Sequence, residues 1–200
     1  MIFTNKLLLF ASVVVLASCS EAPGVGVGFD FFPQDCENIV VTDVSEGNAL
    51  GLSLRVIGNP VEGDLFMEQQ VLAYIKEQYP NRILRGGSAL WACHYLQIPC
   101  VSLSIFSNST VNGHVSGSDI SDLFIINNNT DDFWFDSDKK LIGSLPAWMP
   151  VAYFLSKHPM MLESFKLTSE SITPTMLAGS SIFVSVGLGD NRSFTIEIPY

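Results

Sequence analysis

Basic residues are scarce in this sequence. Its 200 residues include 10 Lys and Arg against 20 Asp and Glu, which gives a formal net charge of −10 at pH 7. Nucleic acids and anionic membrane surfaces repel a protein of this charge. The composition therefore argues against a nucleic-acid partner, and the acidic surface is expected to keep the protein soluble.

The sequence also lacks common signatures of catalysis. It contains no G-x-S-x-G pentapeptide, in which many serine esterases present their nucleophile. Its three histidines, His94, His114 and His158, lie far apart. Cys93 and His94 are adjacent, but neighbouring residues on a strand point to opposite faces and could not form a thiol–imidazole pair there. We therefore expect a protein that is not an enzyme.

Cysteine is used only four times, at positions 19, 36, 93 and 100. In an oxidising compartment two of the last three could pair and leave one odd thiol. A Cys93–Cys100 disulfide would enclose six residues and clip a turn between two strands. Its rival, Cys36–Cys93, would tie the N-terminal approach to a core strand, and free buried thiols are the third alternative.

Long hydrophobic runs are absent as well. The apolar stretch from Leu7 to Leu16 follows the single positive charge of Lys6 and precedes small residues and Cys19. This order of segments is typical of a secretory signal peptide. A transmembrane helix needs about 20 apolar residues, so the stretch is too short to span a bilayer. Residues 1–18 are therefore predicted to be an export signal.

The residues Leu16-Ala17-Ser18-Cys19 resemble the lipobox of bacterial lipoproteins, in which an aliphatic and two small residues precede a cysteine. The resemblance implies that the Cys19 thiol receives a diacylglyceryl group and that a signal peptidase then cleaves before it. The implied partner is the lipid bilayer, because two or more acyl chains, such as palmitate, anchor a protein stably. Ser20 is not the aspartate associated with inner-membrane retention in enteric bacteria, which favours the outer membrane and leaves the leaflet open.

The mature chain is predicted to have two parts. Residues 19–35 are rich in Gly and Pro and are interpreted as a lipidated flexible tether. Residues 36–200 are predicted to form one domain, and removal of Lys6 with the signal lowers the net charge from −10 to −11. Its clearest helix is expected over 62–79, with Asn59, Pro60 and Glu62 as N-cap, first-turn proline and capping-box partner.

Alternating apolar residues predict most of the strands. Leu50, Leu52, Leu54 and Val56 form one set, and Val101, Leu103 and Ile105 are expected to share one side of another strand. Further strands are predicted at 38–45, 83–94, 133–136 and 163–169, a short helix at 150–157, and a C-terminal hairpin over 182–198. These elements predict a mainly β fold: an antiparallel, immunoglobulin-like β-sandwich with one main amphipathic helix.

The second half of the chain, from VSLSIFS through SDISDLF to SIFVSVGLGDNRSFTIEIP, resembles a group of Bacteroidetes lipoproteins of unassigned function. In that group a strand, a polar loop, a short serine and leucine element and a terminal hairpin follow in this order. The helix at 62–79 departs from that pattern. Because the group has no assigned activity, the resemblance implies no catalytic residues.

Two features are candidates for ligand binding. The densest carboxylate cluster consists of Asp131, Asp132, Asp136 and Asp138. Oxygen ligands of this kind suit calcium. The spacing does not fit an EF-hand, and a solvated acidic loop is the competing interpretation. Trp134 is expected to point opposite to its two Phe neighbours, which suggests a glycan-binding surface; core packing is the alternative explanation.

These observations favour a membrane-tethered, non-enzymatic envelope protein that binds a protein or glycan partner or serves a structural role. One alternative is a fimbrial or adhesin subunit that assembles by strand addition at an exposed sheet edge. A second alternative is a glycan-binding accessory protein.

Overall fold

The computed structural model describes residues 27–78, 84–96, 98–127, 134–143, 148–157, 160 and 164–200. The predicted export signal and Cys19 lie outside these residues. The described elements follow along the chain as β1 (Val27–Gln34), β2 (Asn38–Asp43), β3 (Leu50–Ile57), α1 (Leu65–Gln78), β4 (Leu84–Leu96), β5 (Cys100–Ser107), β6 (Ile125–Asn127), β7 (Trp134–Phe135), β8 (Leu141–Gly143), β9 (Trp148–Pro150), α2 (Val151–Ser156), β10 (Ser164–Ser169), β11 (Ser181–Leu188) and β12 (Ser193–Pro199).

The larger sheet has five strands in the order β2-β3-β10-β6-β9, all antiparallel to their neighbours. Alternation determines which face is buried: Leu52 and Leu54 are fully buried, whereas Arg55 between Leu54 and Val56 is exposed. The predicted hairpin of β2 with β3 is confirmed. The inner face of this sheet is therefore apolar.

A second, three-stranded antiparallel sheet has the order β12-β11-β5, and it contains the predicted C-terminal hairpin. Val101 was expected on the same side as Leu103 and Ile105, and this is wrong, because Val101 is 57% exposed. The register passes from Gly187 opposite Ser102 to Leu188 opposite Cys100, which leaves Val101 without a partner on β11. This β-bulge shifts the alternation of β5 by one residue.

One hydrophobic core lies between the two sheets. It takes buried side chains from β2, β3, β6, β9 and β10 on one side and from β5, β11 and β12 on the other. The predicted fold class is confirmed: the protein is mainly β, with two antiparallel sheets and one main helix in the arrangement of a β-sandwich. Among the described residues, no helix has the length and apolarity needed to cross a bilayer.

The tether predicted over residues 19–35 is wrong at its C-terminal end. Val27–Gln34 form β1, which pairs in parallel with β4 from Val27 opposite Leu84 to Gln34 opposite Leu96. The two strands form a small sheet of their own. Pairing with β4, which lies far along the chain, provides hydrogen-bond partners for the backbone amide and carbonyl groups of this segment. The Gly and Pro content of the segment gave no information about that distant strand.

The start of the main helix also differs from the prediction. Helix α1 begins at Leu65, and Asp64 caps it by accepting hydrogen bonds from the N–H groups of Phe66 (3.0 Å) and Met67 (3.3 Å). The Asn59 carbonyl instead accepts a hydrogen bond from the Asp35 N–H at 3.0 Å, and Pro60 bridges to Gln34. Residues predicted to cap the helix therefore hold the end of β1.

A smaller core lies beneath α1. Met67, Val71 and Ile75 of the helix are buried with Phe135 and Met160, and Leu141 packs against them. Gln70 joins the helix to the β7–β8 hairpin, since its side chain donates to the Lys139 carbonyl (2.7 Å) and accepts from the Leu141 N–H (3.0 Å). Helix and hairpin therefore form one unit beside the sandwich.

Candidate functional site

The described cysteines do not form the predicted disulfides. Cys36 and Cys100 are free, buried thiols, so neither Cys93–Cys100 nor Cys36–Cys93 is present; the side chain of Cys93 lies outside the described residues. The bulge in β5 leaves Cys100 facing the core, where burial raises the pKa of its thiol to about 12. Burial also raises the pKa of the Cys36 thiol. Both thiols therefore stay protonated and unreactive at neutral pH.

The carboxylate cluster considered for calcium is only partly described. Asp131 and Asp132 lie outside the described residues. The Asp136 carboxylate accepts hydrogen bonds from the N–H groups of Asp138 (3.0 Å) and Lys140 (2.8 Å), and so it caps the turn between β7 and β8. Within the described part of the chain, no three acidic, histidine or cysteine side chains are grouped as metal ligands. The geometry assigns Asp136 a structural role in the turn.

Trp134 lies on β7, opposite Gly143 of β8, and its side chain is outside the described residues. Its neighbour Phe135 is buried in the small core beneath α1. The proposed sugar-binding role of Trp134 therefore stays a prediction.

A different tryptophan lies on an exposed surface. Trp148 begins β9, the edge strand of the five-stranded sheet, and is 57% exposed, whereas the next residue, Met149, is 1% exposed. Met149 faces the core, so Trp148 points to the opposite side, which we call the outer face. An indole is a large apolar group, and its exposure at a strand edge is a departure from the usual burial of aromatic side chains.

The register places a row of side chains next to Trp148 on the outer face. Trp148 is opposite Asn127 of β6, which is opposite Lys166 of β10. The row continues to Ser53 of β3 and Thr42 of β2. Directly opposed residues share one face, with about 5 Å between their Cβ atoms. The β2–β3 hairpin and three strands from distant segments thus bring an indole, an amide, an ammonium group and two hydroxyls into one line.

The charge of the outer face is opposite to that of the whole protein. Arg55 and Lys166 are the only charged residues at the outward positions of the five strands, all of which the structure describes. They are diagonal neighbours, because Arg55 opposes Ser164 and Lys166 opposes Ser53. Neither forms an ion pair with another described residue. Two cations with no acidic partner in the described part of the chain therefore lie on one face of an acidic protein.

Two buried polar atoms on the same face have no hydrogen-bond partner among the described residues. They are Oδ1 of Asn127, a residue that is 8% exposed, and Oγ1 of Thr168, two residues beyond Lys166. Buried polar groups are nearly always satisfied, and each unpaired group costs about 1–3 kcal/mol.

The outer face offers groups for non-covalent binding. Its aromatic, amide, hydroxyl and cationic side chains can stack on, hydrogen-bond to and attract a ligand. Sequence patterns missed this surface because it depends on the register of five strands. The only local signal was the exposed position that alternation gives Trp148 beside Met149.

Comparison with protein-family models, with curated proteins and with solved structures finds no match for the chain.

Proposed function

We propose that this chain is a lipid-anchored, non-enzymatic binding module of the cell envelope, held on the outer membrane through Cys19. The observation that carries the proposal is the order of an apolar signal, the residues Leu16-Ala17-Ser18-Cys19, and a β-rich body. Alkylation of Cys19 and cleavage before it would turn a water-soluble body into a peripheral membrane protein.

The position of β1 supports a location close to the bilayer. Only seven residues, 20–26, separate Cys19 from Val27, the first residue of β1. A fully extended chain spans at most about 3.6 Å per residue, so Val27 lies within about 30 Å of the anchor. This reach is comparable to the thickness of the hydrocarbon core. The body would therefore act at the membrane surface.

The outer face supports a binding role. Trp148 is exposed, and the cations Arg55 and Lys166 have no ion pair with a described residue; all three lie on outer strand positions, where charged pairs or small polar residues would serve solubility better. The proposal is therefore that the lipid holds the body in place and that the outer face contacts the ligand.

The test replaces the lipidated thiol. Wild type and Cys19→Ser would be expressed with a labelled palmitate precursor, and precursor size, label and membrane fraction would be measured. Wild type is expected to be cleaved, labelled and membrane-bound, and Cys19→Ser to accumulate uncleaved and without label. Ser20→Ala is the matched control, because it lies beside the cysteine and outside the four lipobox positions. Normal cleavage and labelling of Cys19→Ser would overturn the proposal.

A further inference from the structure

We propose that the outer face of the five-stranded sheet binds an acidic polysaccharide, with sugar rings stacked on Trp148 and carboxylates paired with Lys166 and Arg55. This inference rests on the proposed function as a binding module and names the class of its ligand. It concerns the described strands β2, β3, β6, β9 and β10, which comprise residues 38–43, 50–57, 125–127, 148–150 and 164–169.

Trp148 provides the stacking surface. Its ring is more than half exposed at the sheet edge, so a ligand can reach it without unfolding of the strand. The C–H bonds on one face of a sugar ring carry partial positive charge, and the face of an aromatic ring is negative. Indole has the largest such face among the side chains. A pyranose ring is therefore a fitting partner for this position.

The charge of the outer face selects an anionic ligand. Arg55 and Lys166 are diagonal neighbours on paired strands and have no described acidic partner. A planar guanidinium can bind a carboxylate through two parallel hydrogen bonds, and an ammonium group adds a point charge. The net charge of −10 repels an anion at long range, but salt screens this repulsion beyond about 8 Å at physiological ionic strength.

The shape of the row favours a chain over a single small anion. From Thr42 to Trp148 the row crosses four strand intervals, which corresponds to about 19 Å at about 4.8 Å for each interval. Hydroxyls of Thr42 and Ser53 lie at one end of the row and the indole lies at the other. A linear chain of sugar rings with regularly spaced carboxylates can reach from the exposed Trp148 past the buried Asn127 to Lys166 and Arg55, and a chain of acidic residues alone has no rings to stack on Trp148.

The test uses the mature, lipidated full chain in detergent micelles and three immobilised probes. Polygalacturonate carries rings and carboxylates, its fully methyl-esterified form carries the same rings without charge, and polyglutamate carries carboxylates without rings. We expect binding to polygalacturonate that is at least about tenfold tighter than to either other probe, since each probe lacks one of the two interactions. No binding to polygalacturonate, or equal binding to the methyl ester or to polyglutamate, would overturn the inference.

Variants locate the binding surface. Trp148→Ala is expected to weaken binding about tenfold, and Lys166→Gln and Arg55→Gln each about three- to tenfold. The matched controls are Phe66→Ala, whose side chain on α1 is 59% exposed against 57% for Trp148, and Lys140→Gln on the β7–β8 turn. Both controls should bind as wild type does. Unchanged binding by Trp148→Ala, or equal losses in the controls, would refute the assignment to the outer face.

Binding of the three probes by the protein in micelles does not depend on which membrane holds the protein in the cell. If polygalacturonate does not bind, the proposed ligand class is wrong, and the proposed anchor at Cys19 is unaffected. Conversely, normal cleavage of Cys19→Ser would refute the proposed anchor, and probe binding would still test the outer face independently.

Discussion

At the scale of single residues, Thr168 and Ser169 form a natural pair for comparison. The Thr168 hydroxyl is buried and has no hydrogen-bond partner among the residues that the structure describes, whereas the Ser169 hydroxyl lies 3.1 Å from the Ser171 hydroxyl. Thr168→Val removes the unpaired oxygen with almost no change of shape and should raise the free energy of unfolding by about 1 kcal/mol. Ser169→Ala removes a paired hydroxyl in a buried site and should lower it by about 1 kcal/mol.

Urea unfolding of both variants, monitored by tryptophan fluorescence, measures these changes. A loss of stability in Thr168→Val as large as that in Ser169→Ala would show that the Thr168 hydroxyl has a partner in solution, such as a water molecule. Binding of polygalacturonate by Thr168→Val, compared at the same time, shows whether its hydroxyl also contacts the ligand.

Residue patterns could not identify the outer face from the sequence. Trp134 lies between Phe133 and Phe135, and Trp148 lies between Ala147 and Met149; neither local context shows which indole belongs to a polar surface. What separates them is the cross-strand register, which places Asn127 and Lys166 beside Trp148. Register depends on pairing between segments that are distant along the chain, and local alternation does not contain that information.

At the scale of elements, Arg192 joins the C-terminal hairpin to the junction between β1 and β2. Its guanidinium pairs with Asp35 at 3.0 Å and with Asp190 at 2.5 Å, and it donates to the Cys36 carbonyl. Hydrogen bonding to Arg192 lowers the pKa of both carboxyl groups below the usual 3.8. If Cys19 is the anchor, this contact lies at the end of β1, the strand closest in sequence to the anchor.

The depressed pKa values give a pH dependence with a definite sign. A carboxyl group whose folded pKa is lowered stabilises the fold above its unfolded pKa, and this stabilisation is lost as the pH falls through the folded pKa. Arg192→Met should therefore lower the free energy of unfolding by about 1 kcal/mol at pH 7, and its difference from wild type should shrink towards zero near about pH 2.

Thermal unfolding of Arg192→Met and wild type between these pH values provides the measurement. Arg55→Met is the control, because Arg55 is exposed and has no ion pair with a described residue. A difference that stays constant with pH would contradict the assigned role of the two carboxylates.

Asp64 forms a second contact between elements, which joins α1 to the β7–β8 turn. Its Oδ1 caps α1, and its Oδ2 lies 2.7 Å from the Lys139 Nζ on the β7–β8 turn; the hydrogen bond to Lys139 is the main cause of the lowered Asp64 pKa. Asp64→Ala removes both functions and should destabilise the protein by about 1–2 kcal/mol. Asp64→Asn keeps an oxygen acceptor for the cap and should cost about half as much.

Denaturant unfolding distinguishes the two Asp64 variants, and circular dichroism reports the helix directly. Equal losses in Asp64→Asn and Asp64→Ala would mean that the ion pair, and not the cap, holds the helix to the hairpin.

The elements also show which structural features local sequence patterns can predict. Strands β3, β10, β11 and β12 were predictable because one face of each is buried and their apolar residues alternate. The cap at Asn59 was mispredicted because its backbone is used by β1, a distant segment, which moves the helix start to Leu65. The bulge at Val101 is likewise visible only from the partner strand β11. Local patterns thus predict single elements, and their pairing follows from contacts between distant segments.

At the scale of the whole molecule, the proposed anchor and the proposed binding face have separate origins. The proposed anchor depends on four consecutive residues that resemble a lipobox, and it stays a prediction from the sequence. The outer face depends on five strands and became visible only with the fold. The two-sheet body connects them, because β1 follows Cys19 closely and its C-terminal end is held beside β2 by Asp35 and Arg192.

The most direct test of the central claim is the mass and N-terminal residue of the mature protein purified from membranes. The account predicts a chain that begins at Cys19, with a diacylglyceryl group on the thiol and further acyl mass that is removed together with the N-terminal peptide. A mature chain that begins at any other residue, or at a Cys19 without lipid, would contradict it.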